Sequence, residues 1–141
     1  MKKYVLVFGL LLLLLTGCSK ELSHREVAIQ DANADVQDFV QTVRKDNGYY
    51  LYMDGKDTYY LFLNGSIGGL EETVTHFSNL TMDVRQDDLI LSFQESQVSV
   101  NSLETEPKSI VLYRIQTDRP YDTIRLQVNG EEAGFDMISG N

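Results

Sequence analysis

The chain of 141 residues carries 12 Lys and Arg against 21 Asp and Glu, a formal charge of −9, with one Cys and no Trp. That length suits one domain with an ordinary apolar core. The acidic balance argues against nucleic acid, whose phosphates are met by Lys and Arg, and against an electrostatic grip on anionic lipid.

The chain opens with a segment of different composition. Lys2 and Lys3 form a positive start, residues 4–15 form an apolar run interrupted only by Gly9, and Leu15-Thr16-Gly17-Cys18 closes it. A spanning helix needs about 20 apolar residues, so this run is too short for one and reads as a secretory leader. The closing tetrapeptide resembles the lipobox of bacterial lipoprotein precursors. That resemblance implies a signal peptide over residues 1–17, a diacylglycerol on the Cys18 thiol with acyl chains such as palmitate, and Cys18 as the new N-terminus. Anchoring by two chains is strong, since each buried methylene contributes about 0.8 kcal/mol. The expected location is the extracytoplasmic face of the cell membrane. The leader holds two of the 12 basic residues and none of the 21 acidic ones, leaving ten against 21, a net −11 on the mature part. With its one Cys lipidated, that part has no disulfide, and no second hydrophobic stretch of membrane length occurs in it.

Residues 18–26 are polar and read as a lipid-anchored tether, and residues 27–141 as one globular domain. Between positions 27 and 45, Val36, Phe39, Val40 and Val43 fall at helical spacing, with Asp35 as a candidate cap and Gly48 as a candidate stop. A strand with Phe39 and Val43 on one face is the rival reading. From Gly48 onward the period becomes two and turn residues recur. Residues 49–53 and 58–63 form a hairpin around Asp54-Gly55-Lys56-Asp57. A symmetric closure pairs Met53 with Thr58, Tyr52 with Tyr59 and Tyr50 with Leu61.

Leu80, Met82 and Val84 alternate with polar residues, as do Leu89, Leu91 and Phe93 after the turn at 86–88. Pairing Val84 with Leu89 gathers all six on one face. Residues 94–109 are polar and read as a long loop with at most an edge strand. Residues 110–116 and 123–128 are strands. Asn129-Gly130 then joins 123–128 to 131–136, because a type I′ turn needs positive φ at both central residues. The register pairs Val128 with Glu131, Leu126 with Ala133 and Ile124 with Phe135. The fold class expected is mainly β: a small antiparallel sandwich or barrel of about seven strands, with a short N-terminal helix.

The chemical motifs are mostly negative. His24 and His76 stand apart with no Cys to join them, so no metal site is expected. Asp54 and Asp57 admit a calcium reading only without the twelve-residue EF-hand pattern. Gly65-Ser66-Ile67-Gly68-Gly69 resembles a phosphate loop but lacks its Lys, and G-x-S-x-G does not occur. Glu71-Glu72, Asp87-Asp88 and Glu131-Glu132 are adjacent pairs suited to solvated turns; a hydrolytic dyad would need two carboxylates converging in space. No cofactor is expected.

One feature rises above background. Six aromatics lie between residues 49 and 62, and in the symmetric pairing Tyr50, Tyr52 and Tyr59 share a face. Covered by the 36–43 helix, that face is core packing. Exposed, it is a candidate binding surface for a glycan or an envelope protein. Tyr60-Leu61-Phe62-Leu63-Asn64-Gly65 and Tyr121-Asp122-Thr123-Ile124, within the stretches 48–65 and 114–136, are similar to small secreted lipoproteins of low-GC Gram-positive bacteria. The resemblance implies localisation and brings no catalytic residue. The expectation is a lipid-anchored, non-enzymatic interaction module; the alternatives are a carboxylate-dependent hydrolase of envelope polymers and a structural or protective lipoprotein without a specific ligand.

Overall fold

A computed structural model describes residues 20–68, 72–102 and 105–141. Cys18 and its lipobox, Gly69 and Glu71 lie outside the described residues. Two β-sheets pack face to face, and one helix covers the outer face of the larger sheet. The sandwich reading therefore stands, and the sheets do not close into a barrel.

The strands are β1 (Ser23–Glu26), β2 (Gly48–Asp54), β3 (Thr58–Asn64), β4 (Thr73–Arg85), β5 (Asp88–Ser99), β6 (Ile110–Gln116), β7 (Thr123–Val128), β8 (Glu131–Ala133) and β9 (Met137–Gly140). The five-stranded sheet has the order β1-β6-β3-β2-β9, and the four-stranded sheet β4-β5-β7-β8. Nine strands thus stand among the described residues where about seven are legible as pattern. The two additions are the short edges β1 and β9. β1 takes up residues 23–26 of the expected tether, held by backbone pairing to β6 (Arg25 opposite Arg114), although all four of its side chains are exposed.

Pairing is antiparallel except for β2–β9 and β5–β7. Parallel neighbours need a long crossover. Here it is supplied by a strand of the opposite sheet: β6 carries the chain away from β5 and back, so that β7 starts at the same end as β5.

The helix α1 (Ala34–Val43) buries Val36, Phe39, Val40 and Val43, the four residues at helical spacing. Its cap is Asn33, not Asp35: the Asn33 Oδ1 accepts the Val36 N–H at 3.0 Å. The helix ends at Arg44, before Gly48, which opens β2 instead.

The β2–β3 hairpin closes through three residues rather than four, with Asp54 opposite Thr58 and Gly55 at φ +78°. Tyr52 therefore faces Tyr60 and Tyr50 faces Phe62, one position off the symmetric register. A one-residue slip exchanges faces. Tyr50, Tyr52, Tyr60 and Phe62 pack under α1 with Leu112, whereas Tyr59 joins Leu51, Leu61 and Leu63 between the sheets.

The β4–β5 hairpin keeps the expected Val84–Leu89 pairing and extends well beyond it. Residues 94–99 are strand, not loop, and residues 100–102 form a single 3-10 turn. The extension is masked in sequence by a bulge: Asn79, at φ +58°, and Leu80 together oppose one residue of β5. The inward side thus passes from Phe77 to Leu80, breaking strict alternation. Asn129 and Gly130 take φ +53° and +83°, and Val128–Glu131 and Leu126–Ala133 pair as the turn requires. That ladder stops at Ala133, so Ile124 and Phe135 are not strand partners.

Tyr49 reaches across the sandwich. Its hydroxyl donates to Glu95 at 2.6 Å, and its ring meets Phe93 and Phe77 edge-on. Burial, then the Glu95 carboxylate, raise the phenol well above its ordinary value. A raised folded value means that stability falls as pH climbs past about 10, the unfolded phenol value. Tyr49→Phe should cost about 1 kcal/mol at pH 7. It should also flatten the alkaline decline, measured by urea unfolding between neutral and strongly alkaline pH.

Candidate functional site

Tyr50, Tyr52 and Tyr59 do not form a binding surface. They are 5%, 7% and 6% exposed. The Tyr50 ring stacks on Phe62, and its hydroxyl donates to the Asp46 carbonyl at 3.0 Å. Tyr52 packs against Phe39 of α1 with ring centres 5.2 Å apart. Tyr59 points the other way, into the space between the sheets. Burial, followed by nearby carboxylates, raises all three phenols above their ordinary value. The cluster is packing, because helix and opposing sheet cover both faces of the hairpin.

The acidic residues singled out in sequence are spread over turns and edges. Asp87 and Asp88 sit at the β4–β5 turn, paired with Arg119 and Arg125. Glu131 and Glu132 begin β8 and are exposed. Asp54 accepts the Asn33 side-chain amide at 2.9 Å. Asp57 is bound by Lys20, whose ammonium holds its carboxyl below the ordinary range. Among the described residues no three His, Cys, Asp or Glu side chains gather to hold a metal ion. His76 accepts the Lys108 backbone N–H through Nδ1 at 3.0 Å. The glycine-rich segment after β3 owes Gly65 to packing, since a Cβ there would lie 2.4 Å from the Thr75 Cβ.

The place where unspent polar groups converge is a groove on the outer face of the five-stranded sheet. It runs between β6 and residues 25–33, beside the start of α1. One row across the sheet carries Tyr52, Tyr60, Arg114 and Arg25 in register. α1 covers the tyrosine end of that row and leaves the arginine end open. There Arg25, Arg114, Tyr60, Asn33 and Asp31 line a cavity of about 510 Å³, within the size range of small-ligand pockets. Around residues 26–28 it adjoins a mixed cavity of about 420 Å³, in which Val27, Ala28, Ile29, Ile110 and Leu112 stand beside Glu26.

The lining of the groove is charge-balanced where the chain is acidic, with Arg25 and Arg114 against Glu26 and Asp31. Lys20, Arg85, Lys108, Arg119 and Arg125 each hold a carboxylate. Arg25 and Arg114, like Arg44, Lys45 and Lys56, hold none among the described residues, and the one side-chain bond of Arg114 is a long 3.4 Å contact to Gln116 Oε1. The Tyr60 hydroxyl likewise has no hydrogen-bond partner among the described residues, although its ring is buried. Glu26, which also borders the cavity, is engaged by Lys108 at 2.9 Å.

Neither arginine is singled out by sequence reasoning. Arg25 lies within the polar stretch taken as tether. Arg114 carried a usable signal: it is the one charge in the apolar strand Ile-Val-Leu-Tyr-Arg-Ile-Gln, on the alternation that places Leu112 under the helix.

No protein-family model, no curated protein and no solved structure matches this chain.

Proposed function

We propose that this protein is a lipoprotein anchored through Cys18 at the extracytoplasmic face of the membrane, where its β domain acts as a non-enzymatic binding module through the Arg25–Arg114 groove. The address rests on the charged start, the short apolar run and the Leu15-Thr16-Gly17-Cys18 closure. The observation that carries the binding role is that two arginines without a carboxylate partner, Arg25 and Arg114, stand directly opposite each other on adjacent strands and line one concavity. An unpaired charge pair over a concave surface is an arrangement that folding alone does not reward. Among the described residues no helix is long and apolar enough to cross a membrane.

The test is fractionation of cells producing the full chain or Cys18→Ala. The wild-type protein should pellet with membranes and be digested by protease added outside the membrane, and Cys18→Ala should lose acyl-chain incorporation. Protease protection of the wild type in intact cells stripped of wall would overturn the address. In-cell crosslinking should capture an envelope component that the double variant Arg25→Glu, Arg114→Glu no longer captures. Capture unchanged in that variant would remove the groove from the reading.

A further inference from the structure

We infer that the arginine end of the groove is a site for a phosphomonoester, held between Arg25 of β1 and Arg114 of β6. The inference rests on the reading of the domain as a binding module and adds what it binds. Arg25 and Arg114 are direct cross-strand partners on one face of the sheet. Like charges so placed repel and weaken the pair they belong to. A ligand bridging them converts that repulsion into two attractions, and to satisfy both guanidinium groups it should bring about two negative charges.

A single carboxylate brings one. A phosphomonoester brings about −1.5 to −2 near neutral pH on three acceptor oxygens, and guanidinium forks match those oxygens bidentately. The Tyr60 hydroxyl, next to Arg114 in the same row, offers a further donor. Elsewhere the surface is acidic, with a net −11 on residues 18–141 when the two leader lysines are set apart from the chain's 12 basic and 21 acidic residues. A polyanion would be repelled over most of its length, whereas one phosphate group can be held locally. In the adjoining cavity the side chains of Val27, Ile29, Ile110 and Leu112, beside a Glu26 carboxylate already held by Lys108, offer contact to a short alkyl substituent on that phosphate.

The site also couples ligand to anchor. β1 is a four-residue edge strand with every side chain exposed, and it is the first strand after the Cys18 lipid position. Neutralising the arginine pair should fasten it to β6, so occupancy should shorten the free tether.

The experiment uses the full-length chain in neutral detergent micelles, titrated with hexyl phosphate and, as the singly charged control, hexanoate. Hexyl phosphate should bind saturably and about ten-fold or more tighter than hexanoate. Arg25→Gln and Arg114→Gln should each weaken it by a similar factor without lowering the urea midpoint. Amide exchange over residues 23–26 should slow on binding. In a parallel arm the micelles contain phosphatidic acid, and protection of 23–26 there, lost in the Gln variants, would identify a lipid headgroup as the source of the phosphate. Protection by the free ester alone would identify a soluble one. Equal affinity for hexanoate, binding undiminished in both Gln variants, or no protection in either arm overturns the site. Loss of the phosphate arms with Cys18-dependent surface location intact would leave the anchored-module reading standing without this ligand.

Discussion

Replacing Tyr50 or Tyr52 by alanine should lower the free energy of unfolding by about 3–5 kcal/mol, the usual cost of deleting a buried aromatic ring. Both rings lie between β2 and α1: Tyr50 stacks on Phe62, and Tyr52 meets Phe39 of the helix. Removal leaves a void under a helix of only ten residues, too short to persist without its packed face. The two losses should not add, because both rings help hold the same helix. Phenylalanine separates ring from hydroxyl. Tyr50→Phe should cost about 1 kcal/mol, since the Asp46 carbonyl loses a donor. Tyr52→Phe should be close to neutral. Urea midpoints of the four variants, with helix content followed in parallel, provide the check. An unchanged midpoint for Tyr52→Ala would mean that α1 does not cover this face, and would restore Tyr50 and Tyr52, though not Tyr59, as a binding surface.

The slip that sets Tyr59 apart from Tyr50 and Tyr52 shows where pattern reading loses its grip. Register is pinned by sequence only when one face is polar, and the β2–β3 hairpin is apolar or aromatic on both. Turn geometry alone decides it, and the three-residue closure with Gly55 at positive φ differs by one residue from the symmetric one. Where one face is polar, the register was readable: Val84 with Leu89 and Val128 with Glu131 pair as the alternation demands. The helix was readable for the same reason, since its four buried residues repeat at helical spacing between exposed ones.

Features held by backbone rather than side chains left no comparable trace. β1 is four exposed polar residues whose strand character comes from β6. The far half of β5 is polar and only partly buried, and the Asn79 bulge breaks the alternation of its partner. The arginine groove combines both difficulties. One of its charges sits on β1, so the pair exists only once the register of β1 on β6 is known.

Asn64 should prove nearly as sensitive as the tyrosines, although nothing about it is apolar. It is 1% exposed, at the end of β3. Its Nδ2 donates to the carbonyls of Arg44 and Asp46, at 2.8 and 2.9 Å, and its Oδ1 accepts from the Ser66 hydroxyl and N–H, at 2.7 and 3.2 Å. One side chain thus fastens the end of α1 to the β3–β4 connection. Asn47 repeats the tie to Ile67 in both directions. Asn64→Ala takes the side-chain donor from the Arg44 carbonyl, leaves the Asp46 carbonyl only the Tyr50 hydroxyl, and should cost about 1–3 kcal/mol. Asn64→Asp should cost more at pH 7, because it sets a carboxylate against two carbonyl oxygens at the negative end of the helix. Burial and the two carbonyls disfavour the charged form, against the two Ser66 donors that favour it, and the expected folded carboxyl value of the variant lies above the unfolded one of about 3.9. The neutral acid is then the form the fold tolerates. The penalty is smallest below about pH 4 and grows as pH rises through the folded value. Urea unfolding of wild type and Asn64→Asp at pH 7 and at pH 4 should therefore show the gap between them narrowing on acidification. A gap that is constant across that range would mean that the substituted carboxylate has turned out to solvent and the helix end has come loose from β3.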